Sequence, residues 1–203
     1  MVVSRLVHAA GPPGVAAGMV LGLPRGGVPV AAWVADGLGL PLEVLVVRKI
    51  GVPWQPELAL GAVGENGAVV LNDQVVAAGG VGPDELDELI REAAQKVEDM
   101  VAQLRPGRGP PDLRSRMAIV VDDGVATGAS ARAAASVLRS SGAGPVILAA
   151  PVAALSVCKS LRSHFDEVIA VNTPVDFGSV GQHYRHFDQV STEQVRLLLE
   201  RLS

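Results

Sequence analysis

An α/β fold, a mostly parallel sheet flanked by helices, is the fold class this sequence predicts. Two observations carry the prediction. Short apolar, β-branched runs alternate with segments of helical composition, the order that lays helices on both faces of a parallel sheet. Glycine-rich or charged residues follow several of these runs directly, at the carboxyl ends of strands, where ligands bind on such sheets.

Taken in order, residues 15–23 form an apolar run that reads as a buried strand. No Asp, Glu, Lys or Arg stands between Arg5 and Arg25, but Gly11-Pro12-Pro13-Gly14 breaks the stretch, which argues against a signal peptide. The run is also too short to span a bilayer. Pro24-Arg25-Gly26-Gly27-Val28-Pro29 leads into helical composition at residues 30–35, ended by Gly37 and Gly39. Residues 42–47, interrupted only by Glu43, read as a strand closed by Arg48-Lys49-Ile50-Gly51. Residues 58–63 and 68–71 flank Gly64-Glu65-Asn66-Gly67, whose Asn-Gly pair signals a hairpin. Residues 83–104 are a long amphipathic helix. Asp84, Glu85, Asp87 and Glu88 load its front, and Leu86, Leu89, Ile90, Ala93, Val97 and Val101 recur at helical spacing. A Pro- and Gly-rich loop at 106–111 precedes a strand at 117–121. Helix 130–140, strand 146–150, helix 155–164, strand 167–171 and a final helix at 192–202 complete the alternation.

At 203 residues the chain is long enough for one well-buried core. Its net charge of -4 provides no global basic field for a polyanion, and 3% aromatic residues are too few for a base-stacking platform, so no nucleic acid is expected as a partner. The lone Cys158 excludes an intrachain disulfide and lies in an apolar segment, where it reads as a packing residue. With no membrane-spanning run and no disulfide framework, the expected location is the cytoplasm. His183 and His186 invite a metal reading, but no third ligand stands near them in sequence.

The most informative stretch runs from Val120 to Ser130. An apolar strand ends in Asp122-Asp123, and the small-residue turn Ala126-Thr127-Gly128-Ala129-Ser130 opens a helix. Bare amides at a helix start bind phosphate, and Thr127 and Ser130 can add hydroxyl donors. The turn has no Lys in the spacing of an ATP-type P-loop. Two adjacent acids at a buried strand end repel each other and lose solvation unless ribose hydroxyls or Mg²⁺ compensate them. Gly26-Gly27 lets backbone N–H groups face an anion, Arg25 adds charge, and Arg48-Lys49 places two more cations at a strand end. Read without the rest, these are also an ordinary turn, a helix cap and surface charge.

Together, Val120 to Ser130, Leu23-Pro24-Arg25-Gly26-Gly27 and Val47-Arg48-Lys49-Ile50-Gly51 resemble the type I phosphoribosyltransferases, closest to a less-defined bacterial branch. The resemblance runs from about Val20 to the C-terminus. It implies transfer of the 5-phosphoribosyl group of phosphoribosyl pyrophosphate (PRPP) to a nitrogen acceptor, a nucleobase for example, with release of pyrophosphate. Carried onto this chain, Asp122 and Asp123 bind the ribose hydroxyls, and Ala126, Thr127, Gly128, Ala129 and Ser130 hold the 5′-phosphate. Arg25, Gly26, Gly27, Arg48 and Lys49 bind pyrophosphate. Mg²⁺ is the implied cofactor, held mainly by PRPP near Asp122 and Asp123. A single domain over 1–203 follows, with a helical lid insertion at about 72–114 and a C-terminal hood at about 172–203. Arg105 and Arg108 are candidates to close over pyrophosphate, and Phe177, Tyr184 and Phe187 to stack on a planar acceptor. The partners implied are small molecules and a second copy of the chain, with no membrane. Two departures stand out. Ala126 replaces the acid of the hypoxanthine-guanine branch, and the Gly/Pro-rich N-terminus before Val15 replaces an amphipathic helix. A non-catalytic regulator that binds PRPP or a nucleotide, and a phosphate-binding structural subunit of a larger assembly, are the alternatives.

Overall fold

The computed structural model describes residues 18–202. A five-stranded parallel sheet has the order β2-β1-β6-β7-β8, formed by β1 (Gly18–Gly22), β2 (Leu42–Val44), β6 (Met117–Val121), β7 (Val146–Val152) and β8 (Glu167–Asn172). A small antiparallel sheet joins β3 (Val47–Val52), β4 (Gln55–Gly64) and β5 (Val69–Leu71). The helices are α1 (Gly27–Leu38), α2 (Asp73–Ala78), α3 (Pro83–Leu104), α4 (Ala129–Ser140), α5 (Leu155–Leu161) and α6 (Thr192–Leu202). The predicted fold class holds. Of the predicted first strand, residues 18–22 are seen; residues 15–17, and the N-terminus before them, lie outside the described residues.

The central strands β1 and β6 are buried at every position, as strands covered on both faces must be. Alternation along β6 divides the core. Ile119 and Val121 pack with α1, α3 and α6, while Ala118 and Val120 pack with α4 and α5. Helix α3 starts on Pro83 with Asp84 and Glu85 in its first turn, where the helix dipole favours acids, and buries Ala93, Val97 and Leu104.

Three expectations are corrected. The run at 42–47 is not one strand. Leu45 N–H donates to the Gly22 carbonyl (3.0 Å) and Val46 N–H to the Glu65 carboxylate (3.2 Å), so the chain leaves the parallel ladder and enters the second sheet at Val47. Arg48 and Lys49 therefore lie within β3, paired with Val63 and Ala62, rather than at the end of a parallel strand. Gly37 lies inside α1, and Gly39 alone ends it, at a φ of 64° with its N–H on the Ala35 and Asp36 carbonyls. Helix α5 stops at Leu161, and His164 and Phe165 N–H close a turn on the Leu161 carbonyl instead.

Candidate functional site

The carboxyl edge of the parallel sheet gathers three loops. Strand β6 ends at Val121, whose carbonyl accepts from Leu23 N–H (2.9 Å), which fixes the β1–α1 turn beside the acid pair. The fit there is close. A Cβ on Gly26 would lie 1.9 Å from Asp123 Oδ2, and one on Gly27 would lie 2.6 Å from the Val121 carbonyl oxygen and 3.0 Å from Asp122 Cα. Only glycines let this turn rest on the acids. The Pro24–Arg25 peptide within it is cis.

A cavity of about 360 Å³ opens at this edge, lined by Pro24, Arg48, Lys49, Lys96, Asp122 and Ser130 among others. The structure thus brings members of all three predicted motifs to one space, although Arg48 and Lys49 reach it from the antiparallel sheet. Arg25 is exposed beside it and is not one of its lining residues. Ala126 and Thr127 lie on the exposed rim of the turn. Gly128 adopts a φ of 72°, and a Cβ there would meet Val157 Cγ1 at 2.8 Å. Gly128→Ala is therefore expected to cost roughly 1–3 kcal/mol in urea unfolding, from the left-handed backbone and the contact together.

Burial and the neighbouring Asp123 charge push the Asp122 carboxyl up to about 7. Burial also raises Asp123. Asp123 N–H donates to Asp122 Oδ1 (2.9 Å), and no cation of the described residues pairs with either acid. Two desolvated carboxylates without a cationic partner, facing a cavity with an open rim, fit a Mg²⁺ ion or hydroxyl donors. The sign of the pH effect follows. Between an ordinary value of 3.8 and about 7 the folded chain keeps a proton that the unfolded chain releases. The pair therefore lowers stability as pH rises through that window, fully so above it.

Residues that the motifs did not reveal complete the site. Helix α3 contributes Lys96, Val97 and Met100 to the cavity. Lys96 pairs with Glu92 one turn back (3.3 Å) and so reads as surface charge; its adjacency to the buried Val97 was the available signal. Tyr184 packs against the Phe187 ring with centroids 5.1 Å apart, and its hydroxyl donates to the Asp123 carbonyl at 2.5 Å. Burial, with the charges of Asp123 and Asp122, pushes this phenol up to about 12, so it remains a donor. A Cβ on Gly124 would meet Val180 at 2.5 Å, so the segment before Tyr184 also lies against the end of β6. Arg105 is corrected. Its guanidinium is fully buried between Glu43 and Glu65, and Arg108 reaches Glu43 (3.8 Å), so Arg105 is not free to close over a ligand.

The parallel α/β sheet gathers an acid pair, a glycine turn and a small-residue helix start on one edge. The chain belongs to the phosphoribosyl transferase domain family, whose model matches residues 16–185. It is 47% identical over 183 residues to proteins of Mycobacterium tuberculosis, strains CDC 1551 and H37Rv, that are provisionally named phosphoribosyl transferases. The match takes in 90% of this chain and 41% of each relative, so the chain spans about two fifths of their length. The crystal structure of TT1426 from Thermus thermophilus superposes with a TM-score of 0.89 at 39% identity, covering 100% of this chain and 96% of that one.

Proposed function

We propose that this chain transfers the 5-phosphoribosyl group of PRPP to a nitrogen acceptor and releases pyrophosphate. The observation that carries this reading is the Gly26-Gly27 turn resting on Asp122-Asp123 at a cavity whose other walls hold Arg48, Lys49 and Lys96. In this reading Asp122 and Asp123 accept hydrogen bonds from the ribose hydroxyls. The amides of the 126–130 turn, at the positive end of α4, hold the 5′-phosphate. Gly26 and Gly27 offer backbone N–H groups to pyrophosphate, with Arg25, Arg48 and Lys49 supplying charge and Lys96 adding to it. The bond from C1′ to the pyrophosphate oxygen breaks, its electron pair leaving with pyrophosphate, as the acceptor nitrogen bonds to C1′ and then loses a proton to solvent. Asp122 and Asp123 would hold Mg²⁺ together with the donor, and the ion would supply charge neutralisation for the leaving pyrophosphate. Holding donor and acceptor in line while excluding water supplies the rest of the acceleration. Ala126 offers no proton-transfer group, so the acceptor is one that needs none from the turn. The loop at 106–111, without Arg105, closes over the site as a lid in this reading.

Calorimetric titration with PRPP and Mg²⁺ tests the donor site. Micromolar-range binding is expected, lost in Asp122→Asn/Asp123→Asn, followed by pyrophosphate release when nucleobases are supplied. Binding without release for any acceptor would favour a donor-binding regulator, and no binding by the wild type would sink both.

The acid pair also sets a pH dependence. Hydroxyl donors favour the carboxylate, so PRPP affinity should rise with pH up to about 7 and then level off. Below that value the loss approaches roughly tenfold per pH unit. Titrations in buffers of different ionisation heat should show proton release at pH 6 that vanishes in Asp122→Asn; a flat profile would mean that Asp122 is already ionised.

A further inference from the structure

A second cavity, of about 400 Å³, lies between the antiparallel sheet and α4 and shares Lys49 with the first. Its two walls differ in kind. Leu58 and Leu71, both partly exposed, form an apolar floor with Ala59 and Val70. Helix α4 faces them with Arg132 and Ser136, and His164 closes the end. Among the described residues no acid lines this space. Arg132 has no carboxylate partner among the described residues. Burial and the Arg132 charge hold the His164 imidazole below its usual value, so the charge facing the apolar floor is that of the Arg132 guanidinium. A concave space of this size, apolar on one side and cationic on the other, suits a small planar molecule carrying an anionic group.

The cavity is tied to the phosphate-binding turn. Arg132 Nη2 donates to the Thr127 carbonyl (2.9 Å), and its Nη1 stands 3.2 Å from where a Gly128 Cβ would be. Ala129, at the start of α4, lines the same space. We propose that this cavity is a second ligand site, for an aromatic ring bearing an anionic group, and that its occupancy is read by the 126–130 turn through Arg132. An anion there competes with the Thr127 carbonyl for the guanidinium, and the turn loses the hydrogen bond that anchors it. The site itself stands on the cavity alone; its coupling to donor binding rests on the transferase reading.

The test uses 1-naphthyl phosphate as probe, with inorganic phosphate as control, titrated calorimetrically into the full chain. Ser136→Leu fills the cavity and Val70→Glu brings an acid to its floor; neither residue belongs to the proposed transfer site. Sub-millimolar binding is expected in the wild type, at least tenfold weaker in both variants and unchanged in Asp122→Asn/Asp123→Asn. Absent binding, or equal binding in both cavity variants, overturns the site. Saturating probe should then raise the Kd for PRPP several-fold to a plateau. No change overturns the coupling, and a rise without limit shows the probe in the phosphate turn itself and overturns the proposal. Failure of PRPP to bind at all counts against the transferase reading and leaves the naphthyl phosphate titration to stand alone.

Discussion

Arg105→Ala is expected to lower unfolding stability by about 3–5 kcal/mol, enough to show as a large fall in the urea midpoint. Arg105 follows the last turn of α3 and is the largest fully buried side chain of the described residues. Its guanidinium meets Glu65 and, at 3.4 Å, Glu43. Glu65 Oε1 accepts the Val46 N–H and Glu43 Oε1 accepts the Val44 N–H, so the network holds the point where the chain changes sheets. Burial raises the Glu65 carboxyl while the Arg105 charge opposes that rise. Removing the guanidinium leaves two desolvated carboxylates facing each other, the costliest way to break such a group. Arg105 Nε has no hydrogen-bond partner, so the intact network is itself incompletely compensated. Glu65→Gln keeps an acceptor for Val46 and should cost no more than about 1–3 kcal/mol. An Arg105→Ala protein within about 1 kcal/mol of wild type would mean that water replaces the guanidinium and the network carries little.

How much of this was legible beforehand depends on the kind of signal. Helix α3 reads cleanly because its acids, its N-terminal Pro83 and its period all agree over 22 residues. The parallel sheet reads from its continuous apolar strands. The break at Leu45–Val46 does not, because both residues are buried and a run apolar on every side shows no change of period where it changes sheets. Arg105 misleads for a related reason. An arginine in a Pro- and Gly-rich stretch looks solvated, and its partners Glu43 and Glu65 stand 62 and 40 residues away in sequence. The motifs that meet at the cavity were visible because each is local. Lys96 at the cavity and the Tyr184 bond to Asp123 were not, since both come to this edge through tertiary packing alone.

Gly26→Ala and Gly27→Ala should separate binding from folding. At Gly26 the obstructing atom is Asp123 Oδ2, the end of a side chain that can swing away. Folding should survive with a loss near 1 kcal/mol, the scale of an off-rotamer side chain. The carboxylate then no longer stands where the proposed ribose hydroxyls need it. Losing one or two charge-assisted hydrogen bonds is worth about 1.5–3 kcal/mol, which is roughly 10–100-fold in PRPP affinity. At Gly27 the obstruction is backbone, the Val121 carbonyl and Asp122 Cα, and neither can yield without moving β6. Overpacking of that kind costs typically about 1–3 kcal/mol or more, so Gly27→Ala should lose stability first. Urea unfolding and PRPP titration of both variants read the two effects independently. If Gly26→Ala bound PRPP as the wild type does, Asp123 would hold no ribose hydroxyl, and the carboxylate role would fall to Asp122 alone.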